Sequence, residues 1–319
     1  MKRFLSLILA LALMVSLMPV NLFCVTANAV TSSFAGGSGT AADPYLVETK
    51  EHLDNVRNNL SAHYKMIADI VFADADFTEN GAFYNSGAGW LPIGTDRVAA
   101  FTGVFDGAGH KISGLKINHS GEAVIYIGLF GYSNGTIKNL VLTDSEITAT
   151  ANTATLDVGG IVGYNYRNGL VIRCSFSGTV NAQDHAGGLV GCNWGAIEEC
   201  YNTGHIISQD YAGGITGVNY ENISNCYNCG VVSCSSYMYA GGIAATNSGV
   251  IEFCYNIGNI KCSNYKGGIC GRNSDIVSSC YYLDTAPLGS GYGADTAIKC
   301  TIRQTYWIPR PWRKSIRQS

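Results

Sequence analysis

The fold of this 319-residue chain is decided by a stretch that the chain repeats: GGLVGCNWGAIEECYNTG at residues 187–204, followed by GGITGVNYENISNCYNCG at residues 213–230. Each unit opens with a pair of glycines, and these pairs begin at residues 159, 187, 213, 241 and 267, so the spacing alternates between 28 and 26 residues. A degenerate copy begins at Gly128. A repeat of this length is typical of a solenoid, a propeller or an array.

The composition excludes other classes of glycine-rich chain. Of the residues, 47% are hydrophobic and only 13% are charged, whereas disordered chains are charged and poor in apolar residues. The 39 glycines do not follow the strict triplets of collagen. The formal net charge of −3 gives no electrostatic argument for binding nucleic acid or an anionic membrane.

Aligned units place branched aliphatic residues in three columns. The first column holds Leu129, Ile161, Leu189, Ile215, Ile243 and Ile269; the second holds Ile137, Val171, Ile197, Ile223, Ile251 and Val277; the third holds Val180, Ile206, Val232 and Ile260. Short aliphatic segments bounded by Gly, Asn and Ser indicate strands. Three strands and three turns in 26 residues predict one triangular coil, since a four-stranded propeller blade needs about 40 residues.

The predicted fold class is therefore all-β: a single-chain parallel β-helix, or solenoid, with coils of about 26–28 residues. One coil alone exposes both strand edges and cannot fold by itself. A neighbour about 4.8 Å away pairs its backbone groups and stacks like side chains over like. Stability is thus predicted to belong to the stack as a whole.

Two columns of asparagine accompany the aliphatic columns. They hold Asn165, Asn193, Asn219, Asn247 and Asn273, and Asn202, Asn228 and Asn256. Asparagine tolerates left-handed backbone angles, and stacked amides can hydrogen-bond to each other. We expect these residues to form turns and amide ladders, with a polar binding ladder as the alternative.

One column holds cysteine in five units: Cys174, Cys200, Cys226, Cys254 and Cys280. The degenerate copy has Leu140 at this position, which favours an interior position where a free thiol acts as a small apolar group. Two alternatives stay open. One is a disulfide among Cys229, Cys234, Cys262 and Cys270, and the other is a metal site, although Cys226-x-x-Cys229 has no second half.

With these residues in view, the units resemble the GLUG repeats of bacterial surface proteins. The motif stands as GLFG at 128–131, GIVG at 160–163, GLVG at 188–191, GITG at 214–217 and GICG at 268–271, and departs to GIAA at 242–245. GGSGTAADPYLVET at 36–49 and FTGVFDGAGHKISGLKI at 101–117 are similar to the leader that precedes such repeats. The resemblance covers residues 34–285.

The resemblance implies an exported β-helix used for adhesion or display, with no catalytic residue attached to the motif. Such repeats also occur beside the catalytic domain of bacterial immunoglobulin A metallopeptidases. Since the chain contains no H-E-x-x-H zinc motif, that activity is not carried over.

The chain divides into four predicted regions. Lys2 and Arg3, an apolar run from 4 to 20, and Ala27-Asn28-Ala29 predict a signal peptide over 1–29, and thus a secreted or cell-surface protein that is not membrane-embedded after cleavage. Residues 30–127 form the leader and first coils, 128–285 the repeat β-helix, and 286–319 an irregular basic tail. A short capping helix is predicted over 50–60, with Thr49 as its N-cap and an apolar stripe at Leu53, Val56 and Leu60.

Two groups of residues are candidates for ligand contact. Asp184 and Asp210 fall in adjacent coils, where their carboxylates would lie roughly 5 Å apart, beside an aromatic column of His185, Tyr211, Tyr239 and Tyr265. Tyr164, Trp194 and Tyr220 are outward aromatics of the kind enriched in interfaces. Ordinary polar loop chemistry also explains the acidic pair.

The predicted function is adhesion, display or spacing by a non-enzymatic repeat protein with a ligand-binding surface. The expected partners are glycans or molecules of the cell envelope or host surface, with no nucleic acid, cofactor or metal. The alternative is a glycan-active β-helix enzyme, either a polysaccharide lyase or a hydrolase.

Overall fold

The computed structural model describes residues 33–121, 125–236, 238–283, 290–293 and 298–300. These residues form a parallel β-solenoid whose strands stack in four sheets. The predicted fold class is confirmed.

Sheet 1 has nine strands in the described residues, in spatial order β1 (Tyr45–Val47), β2 (His63–Met66), β4 (Val104–Asp106), β9 (Thr136–Lys138), β13 (Leu170–Ile172), β17 (Ala196–Glu198), β22 (Asn222–Ser224), β27 (Val250–Glu252) and β32 (Ile276–Ser278). Sheet 2 contains the strands β3 (Ile70–Val71), β5 (Lys111–Ser113), β6 (Lys116–Ser120), β10 (Val141–Thr150), β14 (Ser175–Ala182), β18 (Tyr201–Asn202), β19 (His205–Ser208), β23 (Tyr227–Asn228), β24 (Val232–Cys234), β28 (Tyr255–Asn256), β29 (Ile260–Cys262), β33 (Tyr281–Leu283) and β35 (Ile298–Cys300).

Sheet 3 runs through β7 (Tyr126–Ile127), β11 (Asp157–Gly159), β15 (His185–Gly187), β20 (Tyr211–Gly213), β25 (Tyr239–Gly241) and β30 (Tyr265–Gly267). Sheet 4 runs through β8 (Phe130–Ser133), β12 (Val162–Asn165), β16 (Val190–Asn193), β21 (Thr216–Asn219), β26 (Ala244–Asn247), β31 (Cys270–Asn273) and β34 (Ser290–Gly293).

A coil contains more strands than the sequence predicted. One coil passes from β15 in sheet 3 to β16 in sheet 4 and β17 in sheet 1, and then through β18 and β19 in sheet 2. The prediction of three strands in a triangular coil was therefore wrong. The aliphatic columns mark buried positions only. The glycine pair and the turn at Asn202 add further corners to each coil, and the aliphatic columns do not reveal these corners.

The aliphatic and cysteine columns form the core. All residues of the three predicted aliphatic columns are at most 3% exposed, and Cys174, Cys200, Cys226, Cys254 and Cys280 are at most 1% exposed. Each of these thiols donates to a nearby backbone carbonyl, as Cys200 Sγ does to Glu198 O at 3.1 Å. Burial raises the pKa of Cys174 and Cys226, which keeps these thiols protonated.

The thiol core is thus confirmed. Cys229, Cys234 and Cys262 are free thiols in the structure. Cys234 and Cys262, two of the four cysteines named for a disulfide, are direct register partners on β24 and β29.

The asparagine columns form the predicted amide ladders. In the first ladder, Asn193 Nδ2 donates to Asn219 Oδ1 at 2.8 Å, and the same bond joins each pair of neighbouring coils from Asn165 to Asn273. The second ladder joins Asn202, Asn228 and Asn256 with identical spacing. However, these residues do not adopt left-handed backbone angles; residues at another corner of the coil do.

The glycine pairs are required by close backbone approach. A side chain at Gly187 would collide with the carbonyl oxygen of Val190, and one at Gly188 would collide with the carbonyl oxygen of Gly214 in the next coil. Neither glycine has a positive φ, so space and not backbone conformation excludes other residues.

A short helix, α1 (Lys50–Asn55), connects β1 to β2, and a 3-10 turn over Val56–Asn58 extends it. Thr49 is the N-cap, and its hydroxyl accepts from His52 N–H at 3.2 Å. Leu53 and Val56 are fully buried beside the edge strand of sheet 1. The helical stretch therefore ends two residues before the predicted boundary at residue 60. Further 3-10 turns cover Asp74–Phe77 and Asn85–Gly87.

The solenoid extends past the predicted end of the repeats at residue 285. β34 pairs with β31, and β35 pairs with β33. Backbone pairing to the open edge of a sheet does not require the repeat motif, so the strands continue beyond the last copy of that motif. The predicted signal peptide over 1–29 and the rest of the basic tail lie outside the described residues.

Candidate functional site

Sheets 3 and 4 carry two columns of residues that lie outside the main hydrophobic cluster, and the turn after sheet 4 carries a third. We call them together the aromatic face. The sheet 3 column holds Tyr126, Asp157, His185, Tyr211, Tyr239 and Tyr265. The sheet 4 column holds Tyr132, Tyr164, Cys192, Val218, Thr246 and Arg272. A turn column after sheet 4 holds Tyr166, Trp194, Tyr220, Ser248 and Ser274.

Tyrosines fill the N-terminal half of the aromatic face. Tyr132 and Tyr164 stack with ring centroids 5.0 Å apart, and Tyr126 packs against both. The guanidinium groups of Arg97 and Arg167 lie over the ring of Tyr166 at 5.9 and 5.4 Å. Because the rings cover one another, this half offers a closed surface.

Burial holds the tyrosine hydroxyls of this cluster in their protonated form. It raises the pKa of Tyr132 to about 12, and it also raises the pKa of Tyr164 and Tyr126. These hydroxyls can therefore donate hydrogen bonds at every physiological pH.

The aromatic ladder of the turn column stops in the C-terminal half. Trp194 and Tyr220 stack at 4.2 Å with an interplanar angle of 24°. The next two coils place serines, Ser248 and Ser274, where the ladder would continue. Small side chains at these positions leave a surface pocket of about 190 Å³.

Residues from four successive coils line the pocket. They are His185, Tyr211, Val218, Tyr220, Thr246, Ser248, Arg272 and Ser274. The pocket thus combines two aromatic rings, three hydroxyl groups of serine and threonine, an imidazole and a guanidinium. Rings with a few convergent polar groups are typical of small-ligand sites.

A buried carboxylate orients the histidine of this pocket. Nδ1 of His185 lies 2.7 Å from Oδ1 of Asp157, which is 8% exposed. Burial raises the pKa of Asp157, and the hydrogen bond from His185 counteracts part of this effect. With Nδ1 engaged by the carboxylate, Nε2 is the nitrogen of His185 that can serve a ligand.

The structure separates the residues that the sequence had grouped as ligand contacts. His185, Tyr211 and Tyr220 line the pocket, and Trp194 stacks beneath Tyr220. Tyr239 and Tyr265 continue the sheet 3 column with stacked rings 5.1 Å apart but do not line the pocket, and Tyr164 belongs to the tyrosine cluster.

The acidic pair lies in adjacent coils, as predicted, but outside the pocket lining. The backbone N–H of Tyr211 donates to the carbonyl oxygen of Asp184, which places Asp184 and Asp210 next to each other in the stack. The carboxylate of Asp184 accepts from the Leu156 N–H at 3.0 Å, so it holds the loop of the preceding coil.

Sequence reasoning missed six residues that line or support the pocket: Asp157, Val218, Thr246, Ser248, Arg272 and Ser274. Asp157 occupies the position of His185 one coil earlier, and the glycine-pair alignment contains the signal that finds it. Arg272 is the sheet 4 counterpart of Thr246 and lies five residues after the start of its glycine pair, so the same alignment contains the signal that finds it. Among the residues that the structure describes, no group of three His, Cys, Asp or Glu side chains is arranged to hold a metal.

Comparison with known proteins identifies the repeats. Residues 154–181 and 183–207 match the GLUG motif. Over 144 residues the chain is 43% identical to a candidate Gly-rich membrane protein of Evansella cellulosilytica, a match that covers 44% of this chain and 15% of that protein. Over 159 residues it is 38% identical to halomucin of Haloquadratum walsbyi, covering 49% of this chain and 2% of that protein. The chain therefore spans a small part of the length of these relatives.

A solved structure supports the fold. A candidate immunoglobulin A1 protease from Bacteroides ovatus superposes with a TM-score of 0.66 at 22% identity, covering 85% of this chain and 87% of that one. At this level of identity the likeness concerns the fold alone. The helices within the described residues are all too short or too polar to span a bilayer.

Proposed function

We propose that this GLUG-motif chain is a non-enzymatic β-solenoid of the cell surface that binds a glycan through the pocket of its aromatic face. The observation that carries the proposal is the pocket itself, where a stacked aromatic ladder is interrupted and an arginine, an oriented histidine and several hydroxyl groups surround the gap. Sugars present both apolar ring faces and hydroxyl groups, and this lining matches both.

The surface location is supported by the names of the relatives. One is a candidate Gly-rich membrane protein and the other is a halomucin. A solenoid suits such a location because each added coil lengthens the molecule without altering the others. We infer that the repeats also space the pocket away from whatever anchors the chain.

Glycan binding is tested with a microarray of host and cell-wall glycans probed with the full chain. Tyr220→Ala is expected to abolish the glycan signal, since it removes the ring at the wall of the pocket. The control is Tyr201→Ala on sheet 2, where a partly exposed ring stacks on Tyr227 at 4.8 Å and the ladder continues to Tyr255. If neither wild type nor the Tyr201 variant binds any glycan, or if both variants lose binding equally, the proposed function is wrong.

One observation favours the enzyme alternative. The Asp157–His185 pair places an oriented imidazole on the wall of the pocket, as a general base would require. Incubation with polysaccharides, followed by assays of reducing ends and of unsaturated products, tests for hydrolysis and elimination. Turnover that His185→Ala abolishes would establish this alternative and contradict the non-enzymatic proposal.

A further inference from the structure

The pocket leaves one face of an aromatic ring available. Trp194 covers one face of Tyr220, and the opposite face is directed toward the next coil, where Ser248 stands. Tyr220 is 39% exposed, whereas most rings of the same face are more covered by their neighbours. A flat apolar surface of this kind can replace the missing ring of the ladder with the ring of a ligand.

The size of the pocket limits the ligand that it can hold. Its volume of 190 Å³ is below the roughly 300 Å³ that small-molecule pockets typically reach. The site therefore takes a single ring, bounded by Tyr220 on one side and by Arg272, two coils further along the stack. Thr246 and Ser248 lie in the coil between them and can bond to ring hydroxyl groups.

The charge of the pocket is concentrated at one end. Arg272 is exposed and forms no ion pair with any acidic residue that the structure describes. At the opposite end, Asp157 is engaged by His185. A guanidinium that has no ion-pair partner among the described residues matches a planar carboxylate, which it binds through two parallel N–H groups.

From this arrangement we infer that the pocket selects a carboxylated sugar unit, a uronic acid, whose ring stacks on Tyr220 and whose carboxylate binds Arg272. The inference rests on the proposed glycan binding and specifies which glycans bind. In the sheet 4 column the preceding positions are Val218 and Thr246, so Arg272 introduces a charge where the neighbouring coils have none.

The test measures the dissociation constants of the full chain for an oligogalacturonate and for its methyl ester by calorimetry, with EDTA present to remove bridging cations. The methyl ester keeps every sugar ring but lacks the negative charge of the carboxylate. We expect the acid to bind at least about tenfold more tightly, as charge-assisted hydrogen bonds generally produce. Arg272→Gln should remove this preference, and Arg272→Lys should restore only part of it because a lysine lacks the planar fork.

The control is Lys261→Gln, which removes an exposed positive charge from sheet 2 and should keep the full preference for the acid. Thermal unfolding midpoints establish that each variant is folded. Equal affinity for acid and ester, with both affinities lost in Tyr220→Ala, would overturn the uronate inference and leave glycan binding in place. Binding of neutral sugars alone on the microarray would also overturn the inference, and a lack of any binding would overturn the proposed function with it.

Discussion

Individual residues carry backbone strain at one corner of each coil. Asn139, Arg173, Glu199, Asn225, Phe253 and Ser279 have φ between 51° and 53°, and each directly precedes a member of the buried column that contains the cysteines. The left-handed turn leads the chain from sheet 1 into sheet 2 and directs the following side chain inward. Of these six residues, only Asn139 and Asn225 are of a type that favours the left-handed conformation.

Phe253 is the least suited of these residues, because it is bulky, 53% exposed and has φ of 52°. Replacing it by asparagine, the residue of the preceding coil at Asn225, should raise the free energy of unfolding by about 1 kcal/mol through relief of left-handed strain. Urea unfolding monitored by circular dichroism measures the change. The reverse exchange, Asn225→Phe, should lower stability by a similar amount, and a stabilising effect of that change would contradict the explanation.

At the scale of elements, the amide ladder ties the end of each sheet 4 strand to the next coil. Every step runs in one direction, from Nδ2 of one asparagine to Oδ1 of the next, and each amide also bonds within its own turn, as Asn193 does with Gly195. Oδ1 of Asn165 has no hydrogen-bond partner among the described residues, because Ser133 replaces the amide in the preceding coil. The ladder thus begins at Asn165.

Interrupting the amide ladder should lower the free energy of unfolding. Asn219→Ala removes an acceptor from Asn193 and a donor from Asn247 in a fully buried position, and unsatisfied buried groups of this kind cost about 1–3 kcal/mol each. We expect a loss of roughly 2–4 kcal/mol in the free energy of unfolding.

The control for the ladder is Asn222→Ala, three residues along the chain on the exposed side of β22. Surface substitutions of this kind change stability by about 0.5 kcal/mol or less. Urea unfolding compares the two variants. Equal, small effects would show that the ladder contributes little to stability.

At the scale of the whole molecule, the solenoid tolerates coils of two lengths because the extra residues lie in turns. The segment between β12 and β13 is two residues longer than that between β16 and β17, and the segment between β24 and β25 is two residues longer than that between β19 and β20. Insertions at turns preserve the register of the strands, whereas an insertion of one residue within a strand would reverse its buried face.

Removal of one complete coil should therefore preserve the fold. Deletion of residues 213–240 joins Ala212 to Gly241 and recreates the glycine pair after Tyr211-Ala212. The shortened chain should keep its β circular dichroism and a cooperative unfolding transition, with a lower midpoint because one buried layer is lost. Deletion of residues 213–226, half a coil, should abolish folding; retention of a cooperative transition by that variant would contradict the stacked-coil account.

The sequence by itself determined the period, the parallel β-solenoid, the buried aliphatic and cysteine columns, and the asparagine ladders. These follow from residue types that recur at a fixed spacing, and like residues necessarily stack when identical coils pair in register. The N-cap of α1 was also readable, since capping involves neighbours a few residues apart.

Only the tertiary structure decided how many corners each coil has and which columns share a surface. The pocket illustrates the difference, because it joins His185 of sheet 3, Arg272 of sheet 4 and Tyr220 of the turn after sheet 4, each from a different coil. The pocket exists because strands of sheets 3 and 4 and the turn that follows sheet 4 surround the gap left after Tyr220. The aligned sequence shows that serines follow Tyr220 in the turn column, but the convergence of the three columns on one gap is a property of packing between distant segments.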